Sequence, residues 1–164
     1  MSDTENGVRI RRAVMDDLEG LAAGSAGLSA EDGALRDPLR NPGWAQSHAA
    51  RTYAENLANP DMVVLVADHG GGVVGHLLGA YYGASDMWLD ARAYLISMYV
   101  QPPWRGQRVG SRLVAEFAAW ADGRGASQLR VTAYAGNEQA IRFYTRHGFA
   151  PLESTFAADT RAVR

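Results

Sequence analysis

The chain has 164 residues, of which 47% are hydrophobic and 21% charged, enough for one domain with an ordinary apolar core and unlike a disordered or fibrous chain. Sixteen basic side chains against eighteen acidic ones leave a net charge of −2, which argues against non-specific nucleic-acid binding, because that needs a basic face. Cysteine is absent, so disulfides, thiolate metal sites and a cysteine nucleophile are excluded.

The start, Met1 to Gly7, is polar and acidic and unlike a signal peptide. No apolar run approaches the roughly 18 residues that cross a bilayer. The expectation is one domain over residues 1–164 in the cytoplasm, away from membranes. Val8 to Val14 then reads as a strand, with Val8, Ile10 and Arg12 alternating against the other face. Asp16 and Asp17 open a helix carrying Leu18, Leu21 and Ala22, and acidic residues suit its positive end. Glycines at 20, 24 and 27 predict that this helix is weak or interrupted. Residues 29 to 43 are polar and turn-rich, with Asp37-Pro38 and Asn41-Pro42-Gly43, and read as a surface loop suited to ligand contacts.

A second helix is predicted from Trp44 to Leu57, stopped by Asn59-Pro60. Three strands follow. Met62 to Ala67 is nearly all apolar, as in a strand covered on both faces. Gly70-Gly71-Gly72 turns the chain into Val73 to Tyr82, and Ala93 to Val100 is again apolar and ends at Pro102-Pro103. From Val109 to Ala121 the apolar residues Val109, Leu113, Val114, Phe117 and Trp120 fall on one helical stripe. Leu129 to Tyr134 alternates as a strand, Asn137 to Arg146 is a short helix closed at Gly148, and Phe149 begins a last strand. The predicted order is β-α-α-β-β-β-α-β-α-β. That is an α/β fold, one mixed and mostly antiparallel sheet with helices on both faces.

Two segments carry chemistry. In the first, a strand ends at Val100, a turn with two glycines follows, and a helix begins: Arg105-Gly106-Gln107-Arg108-Val109-Gly110-Ser111. Such a turn aims backbone N–H groups at one point before the positive end of a helix, which suits a phosphate. Gly106 and Gly110 allow close approach, and Arg105, Arg108 and Arg112 add charge. A nucleotide-hydrolysing loop would need a lysine, and the chain has none; the dinucleotide pattern Gly-x-Gly-x-x-Gly is absent near the first strand. The alternative is a plain strand-to-helix turn with solvated arginines.

In the second segment, Asn137 can cap its helix and Tyr144 lies two turns later on nearly the same face. A phenol there can donate a proton to a departing thiolate. The alternative is a capped core helix whose tyrosine buries its ring.

Together the segments resemble the GNAT superfamily of N-acetyltransferases. The turn is similar to that family's Arg/Gln-x-x-Gly-x-Gly/Ala motif, and Asn137, Ala140, Tyr144, Gly148 and Phe149 match Asn-x-x-Ala-x-x-x-Tyr-x-x-x-Gly-Phe in full. Met98-Tyr99-Val100 resembles the strand that precedes the turn. The resemblance implies acetyl-CoA as co-substrate, no metal, and an amine acceptor on a small molecule or a protein. It implies that the amides of residues 105 to 111 hold the pyrophosphate and that the pantetheine arm runs along Met98, Tyr99 and Val100. Asn137 would touch that arm, Tyr144 would protonate the thiolate, and an N–H near Tyr99 or Val100 would meet the oxyanion. A homodimer is expected because many relatives form one. A non-catalytic acyl-CoA sensor of the same fold is the other reading.

One departure stands out. Arg108 occupies the place where the family carries the first glycine of Gly-x-Gly, and the expectation is a φ below zero that costs an arginine little. The general base is open between Asp86, Asp90, His76 and water. The acceptor pocket is expected from residues 28 to 44, the 83 to 90 loop and the C-terminal segment. Trp44, Tyr81, Tyr82, Trp88 and Tyr99 are candidates for an aromatic wall, and Glu31, Asp32 and Asp37 hint at a cationic acceptor.

Overall fold

A computed structural model describes residues 6–163, so most of the polar stretch Met1 to Gly7 lies outside the described residues. Five strands form one sheet in the order β1-β2-β3-β4-β5: β1 Val8–Arg12, β2 Met62–His69, β3 Gly72–Tyr82, β4 Arg92–Val100 and β5 Gln128–Val131. The first four pair antiparallel. The last joint, β4 with β5, is parallel, because a helix intervenes and returns the chain to the same end of the sheet.

Helices cover both faces, as the element pattern predicts. On one face α4 (Val109–Gly123) buries Val109, Leu113, Val114 and Phe117 against Val63, Leu65, Leu77 and Leu95. The short helix α5 (Glu138–Arg146) packs Phe143 and Tyr144 onto the edge of that cluster. On the other face α1 (Leu18–Leu28) and α3 (Trp44–Ala58) cover Val64, Val66 and Leu78. Strand β2 is buried on both sides from Val63 to Ala67.

Four expectations change. The glycines of the first helix do not interrupt it: α1 runs unbroken, and a Cβ at Gly20, Gly24 or Gly27 would lie 2.7 Å from Val73, 2.6 Å from His76 and 2.7 Å from Tyr99. The missing side chains are what let this helix lie directly on β3 and β4. The predicted loop from Ser29 is helical for its first half, a π-turn Ser29–Gly33 running into α2 (Ala34–Arg36). Strand β5 ends at Val131 rather than Tyr134. No strand forms after Phe149 among the described residues, and 150–163 are exposed.

Candidate active site

The sheet opens at one place. Parallel pairing joins Arg92, Ala93, Tyr94 and Leu95 of β4 to Gln128, Leu129, Arg130 and Val131 of β5, and stops there. Residues 96 to 100 of β4 continue without a partner on that side, so a wedge of unpaired main chain widens toward the end of the strand. At the closed end of the wedge lies a bulge. Leu78 pairs with Ser97 and Gly79 with Leu95, leaving Ile96 opposite no residue of β3. A bulge of this kind disrupts the local ladder and re-aims the backbone. Nothing in the alternation of this strand announces it, since isoleucine suits an ordinary strand.

The wide end of the wedge leads to the turn at 105 to 110. Pro102–Trp104 forms a 3₁₀ turn, Gly106 has φ +73° with open space where a Cβ would stand, and α4 starts at Val109 without a side-chain cap. The first N–H groups of a helix have no intrahelical partners, so those of α4 are available at its positive end. Arg108 departs from expectation. It takes φ +61° and ψ +7°, the left-handed conformation, where a glycine sits without penalty and an L-residue does not.

The three arginines separate. Arg105 donates from Nε to the Val100 carbonyl at 2.7 Å and from Nη2 to Glu31 at 2.6 Å. Arg112 turns away from the turn and donates to the Val8 carbonyl at 3.0 Å. Gly110 also differs in role, since its missing Cβ would lie 3.3 Å from the Phe143 ring; this glycine seats α5 against α4. His147 fastens the same joint: its Nδ1 is 2.8 Å from the Phe143 carbonyl and its Nε2 is 2.9 Å from Ser111 Oγ. Gln107 bonds the Pro103 carbonyl at 2.9 Å.

On the β5 side, Asn137 caps α5 by accepting from the Ala140 amide at 3.1 Å, as its position predicts. Its Nδ2 donates to Asp32 at 3.0 Å. Tyr144 is largely buried, edge-on to Phe143 and Phe149 at centroid distances of 5.3 and 5.6 Å. Burial, aided by the nearby Asp32 charge, pushes its phenol up to about 12, so it keeps its proton throughout the neutral range.

The segment from Glu31 to Arg36 clasps both lips of the wedge. Glu31 accepts from Tyr99 Oη at 3.0 Å and from Arg105. Asp32 accepts from Arg36 and Asn137, and Arg36 donates to the Gly136 carbonyl at 2.7 Å. The sequence marks these residues only as acidic positions in a surface loop; the clasp needs residues about 70 to 105 positions further on, which no local pattern reveals. Glu31 and Asp32 are engaged with guanidinium groups of the chain itself, whereas Asp37 accepts from the Leu39 amide at 3.0 Å.

The expected aromatic wall does not assemble. Trp44 stacks on His48 at 5.6 Å, Tyr81 sits under Arg124, and Tyr99 belongs to the clasp. Tyr82 and Trp88 alone share a neighbour, Arg92. Of the candidate bases, His76 is fully buried with both ring nitrogens unpartnered, and burial pushes it down to about 4. Asp90 is held below its ordinary range by the Ser127 hydroxyl and the Ala91 amide, and Asp86 is exposed on its loop. Among the described residues no group of acidic or histidine side chains is placed to hold a metal ion, and no helix is long and apolar enough to cross a membrane.

The comparisons with known proteins agree with this geometry. Residues 32–149 match the Acetyltransferase (GNAT) family. A bovine (Bos taurus) thialysine N-epsilon-acetyltransferase is 37% identical over 80 residues, 49% of this chain and 46% of that protein; the match spans about half the length of this curated relative. Two crystal structures share the fold. One is a predicted acetyltransferase with acetyl-CoA from Clostridium acetobutylicum, with TM-score 0.74, 17% identity, 93% of this chain and 96% of the other covered. The second is an aminoglycoside acetyltransferase from an uncultured soil metagenomic sample, with TM-score 0.73, 18% identity, 96% and 99% covered. The open β4–β5 wedge, the uncapped helix behind it and the match over 32–149 make this chain a member of the acetyltransferase (GNAT) family.

Proposed function

We propose that the chain transfers an acetyl group from acetyl-CoA to a primary amine by direct attack within a ternary complex. The observation that carries this reading is the wedge: β4 loses its β5 partner after Leu95, and the open edge leads to an uncapped helix N-terminus. The edge of β4 that β5 leaves open over residues 96 to 100 can hydrogen-bond an extended amide-bearing arm as a further strand would. In this reading Met98, Tyr99 and Val100 line the arm, and the amides of Gly106 to Ser111 face the pyrophosphate. Arg105 and Arg108 supply positive charge. The Arg105–Glu31 pair is about 40% exposed on both sides, and such a pair is worth at most about 1 kcal/mol, so phosphates displace Glu31 at little cost.

The arm places the thioester at the closed end of the wedge, near Ile96 and its bulge. The amine nitrogen attacks the thioester carbon, the C–N bond forms, and the C–S bond breaks. Tyr144, on the α4 face, gives its proton to the departing sulfur, and a freed amide of β4 meets the charge on the carbonyl oxygen. The attacking amine loses its proton to water or to the exposed Asp86, because His76 is sealed in the core and too weak a base, and Asp90 is weaker still than a free carboxylate. A relative that acts on thialysine supports an amine acceptor of modest size. The test is acetyl-CoA binding by calorimetry with thiol release measured against a panel of amines. Binding with amine-dependent release is expected; binding without release would favour the sensor, and no binding would sink both.

A further inference from the structure

Beyond the wedge, on the sheet face opposite α4, two cations share one indole. The Arg92 guanidinium lies 3.8 Å from the Trp88 ring centroid and the Arg130 guanidinium 4.8 Å from the same centroid. Tyr82 and Tyr94 flank them at 5.6 Å each, and Arg130 is held by Gln128 at 2.7 Å and the Tyr94 hydroxyl at 3.1 Å. Among the described residues neither guanidinium forms an ion pair, whereas Arg11, Arg36, Arg105 and Arg124 each have a carboxylate within 2.8 Å. Arg92 goes further, with Nε and Nη1 buried and unpartnered. Tyr82, Arg92 and Tyr94 line a pocket of about 250 Å³. The 83–90 loop that brings Trp88 here is closed by paired amides and carbonyls of Ser85 and Trp88 at 2.9 and 3.1 Å.

Two neighbouring like charges that lack a counter-ion, with buried N–H groups unsatisfied, are costly to a fold. Stacking on an indole recovers part of that cost and leaves the charge unbalanced. The buried Nε and Nη1 of Arg92 stay covered, so what an anion can supply is charge balance at the accessible nitrogens, where a carboxylate accepts from a guanidinium in two parallel bonds.

The position says whose anion it is. Tyr94 and Arg130 are register partners, one residue pair from the point where β4 and β5 separate. Tyr94 and Arg92 point away from the α4 side, because Ala93 and Leu95 between and beside them are buried under that helix. Counting back from Ile96 at about 3.3 Å per residue, Tyr94 is about 7 Å away and Arg92 about 13 Å. With Tyr144 on the α4 side of the thioester, this opposite face is the one left for the amine. We propose that Arg92 and Arg130, around Trp88, form the anion-binding end of the acceptor site. The preferred acceptor is then an amine whose chain, about as long as a lysine side chain, ends in a carboxylate. This inference rests on the transferase reading.

L-lysine and cadaverine test it, because they differ only in the α-carboxylate. Thiol release with acetyl-CoA is measured for both with the wild type, Arg92→Gln and Arg130→Gln, and each protein's fold is checked by its melting temperature. The expected result is a kcat/KM at least tenfold higher for lysine than for cadaverine. Each substitution should lower the lysine value about tenfold and leave the cadaverine value within twofold. Equal use of the two amines by the wild type overturns the proposal, as does an equal fall for both amines in two folded variants. If neither amine releases thiol, the transferase reading is the one in trouble. The anion site is then decided by calorimetry in the presence of coenzyme A. Tighter binding of lysine than cadaverine, abolished by either substitution, supports it; equal affinities refute it, and sodium acetate binding alone at this site would refute its link to an acceptor.

Discussion

Replacing Tyr144 by phenylalanine separates chemistry from folding. The ring packs edge-on between Phe143 and Phe149, and phenylalanine keeps those contacts. The hydroxyl forms no hydrogen bond with another described residue, so its removal leaves no partner unsatisfied and stability should change by less than about 1 kcal/mol. Turnover should change far more. A positioned general acid contributes about 10² to 10⁴ in rate, equal to about 3 to 6 kcal/mol of barrier at about 1.4 kcal/mol per tenfold. Burial disfavours the phenolate and raises the group to about 12, so the wild type keeps this proton from pH 7 to 10, and its rate should not fall across that range on this account. The assay is steady-state thiol release at saturating amine, with acetyl-CoA affinity from calorimetry and a thermal melt for each protein. A kcat lowered at least a hundredfold with affinity within about twofold is expected. A loss of affinity as large as the loss of turnover, or a variant as fast as the wild type, would refute the role given to this tyrosine.

Other residues give further tests. Gly24→Ala should destabilise the fold by about 1–3 kcal/mol in urea denaturation, because its Cβ would lie 2.6 Å from the buried His76 ring; an unchanged midpoint would show that α1 can lift from β3 freely. Arg108→Gly should raise stability by about 0.5 kcal/mol. Relief of the left-handed conformation, about 1–2 kcal/mol, outweighs the extra freedom of glycine in the unfolded chain, about 0.4–1 kcal/mol; a lower midpoint would contradict the observed φ of +61°. Asp17 is 5% exposed and bonds Arg11 at 2.7 Å, and this bond, with the Val14 amide, holds its carboxyl below the ordinary value. The stabilisation is therefore present above the unfolded carboxylate range, near pH 4, and is lost as pH falls through the lower folded value. Asp17→Asn should cost about 2 kcal/mol at pH 7, and the gap from the wild type should close as denaturation is repeated below pH 4. A gap that persists at low pH would place the effect in packing rather than charge.

Much of this protein is written in local pattern. Alternation and helical stripes are enough to place β1 to β4, α3, α4 and α5, because an apolar face must be covered wherever it occurs in the chain. The turn at 105 to 111 and the pair Asn137 and Tyr144 are legible for the same reason: a helix start, a cap and two turns of helix are set by neighbours a few residues away. Tertiary structure decided the rest. The glycines of α1 read as weakness until β3 and β4 are brought within 3 Å of where their side chains would stand. The left-handed Arg108, the bulge at Ile96 and the end of β5 at Val131 depend on how strands meet. The clasp at Glu31 to Arg36 and the Arg92–Trp88–Arg130 cluster join residues from separate parts of the chain. Charge and stacking act through space, and a sequence orders residues only along the backbone.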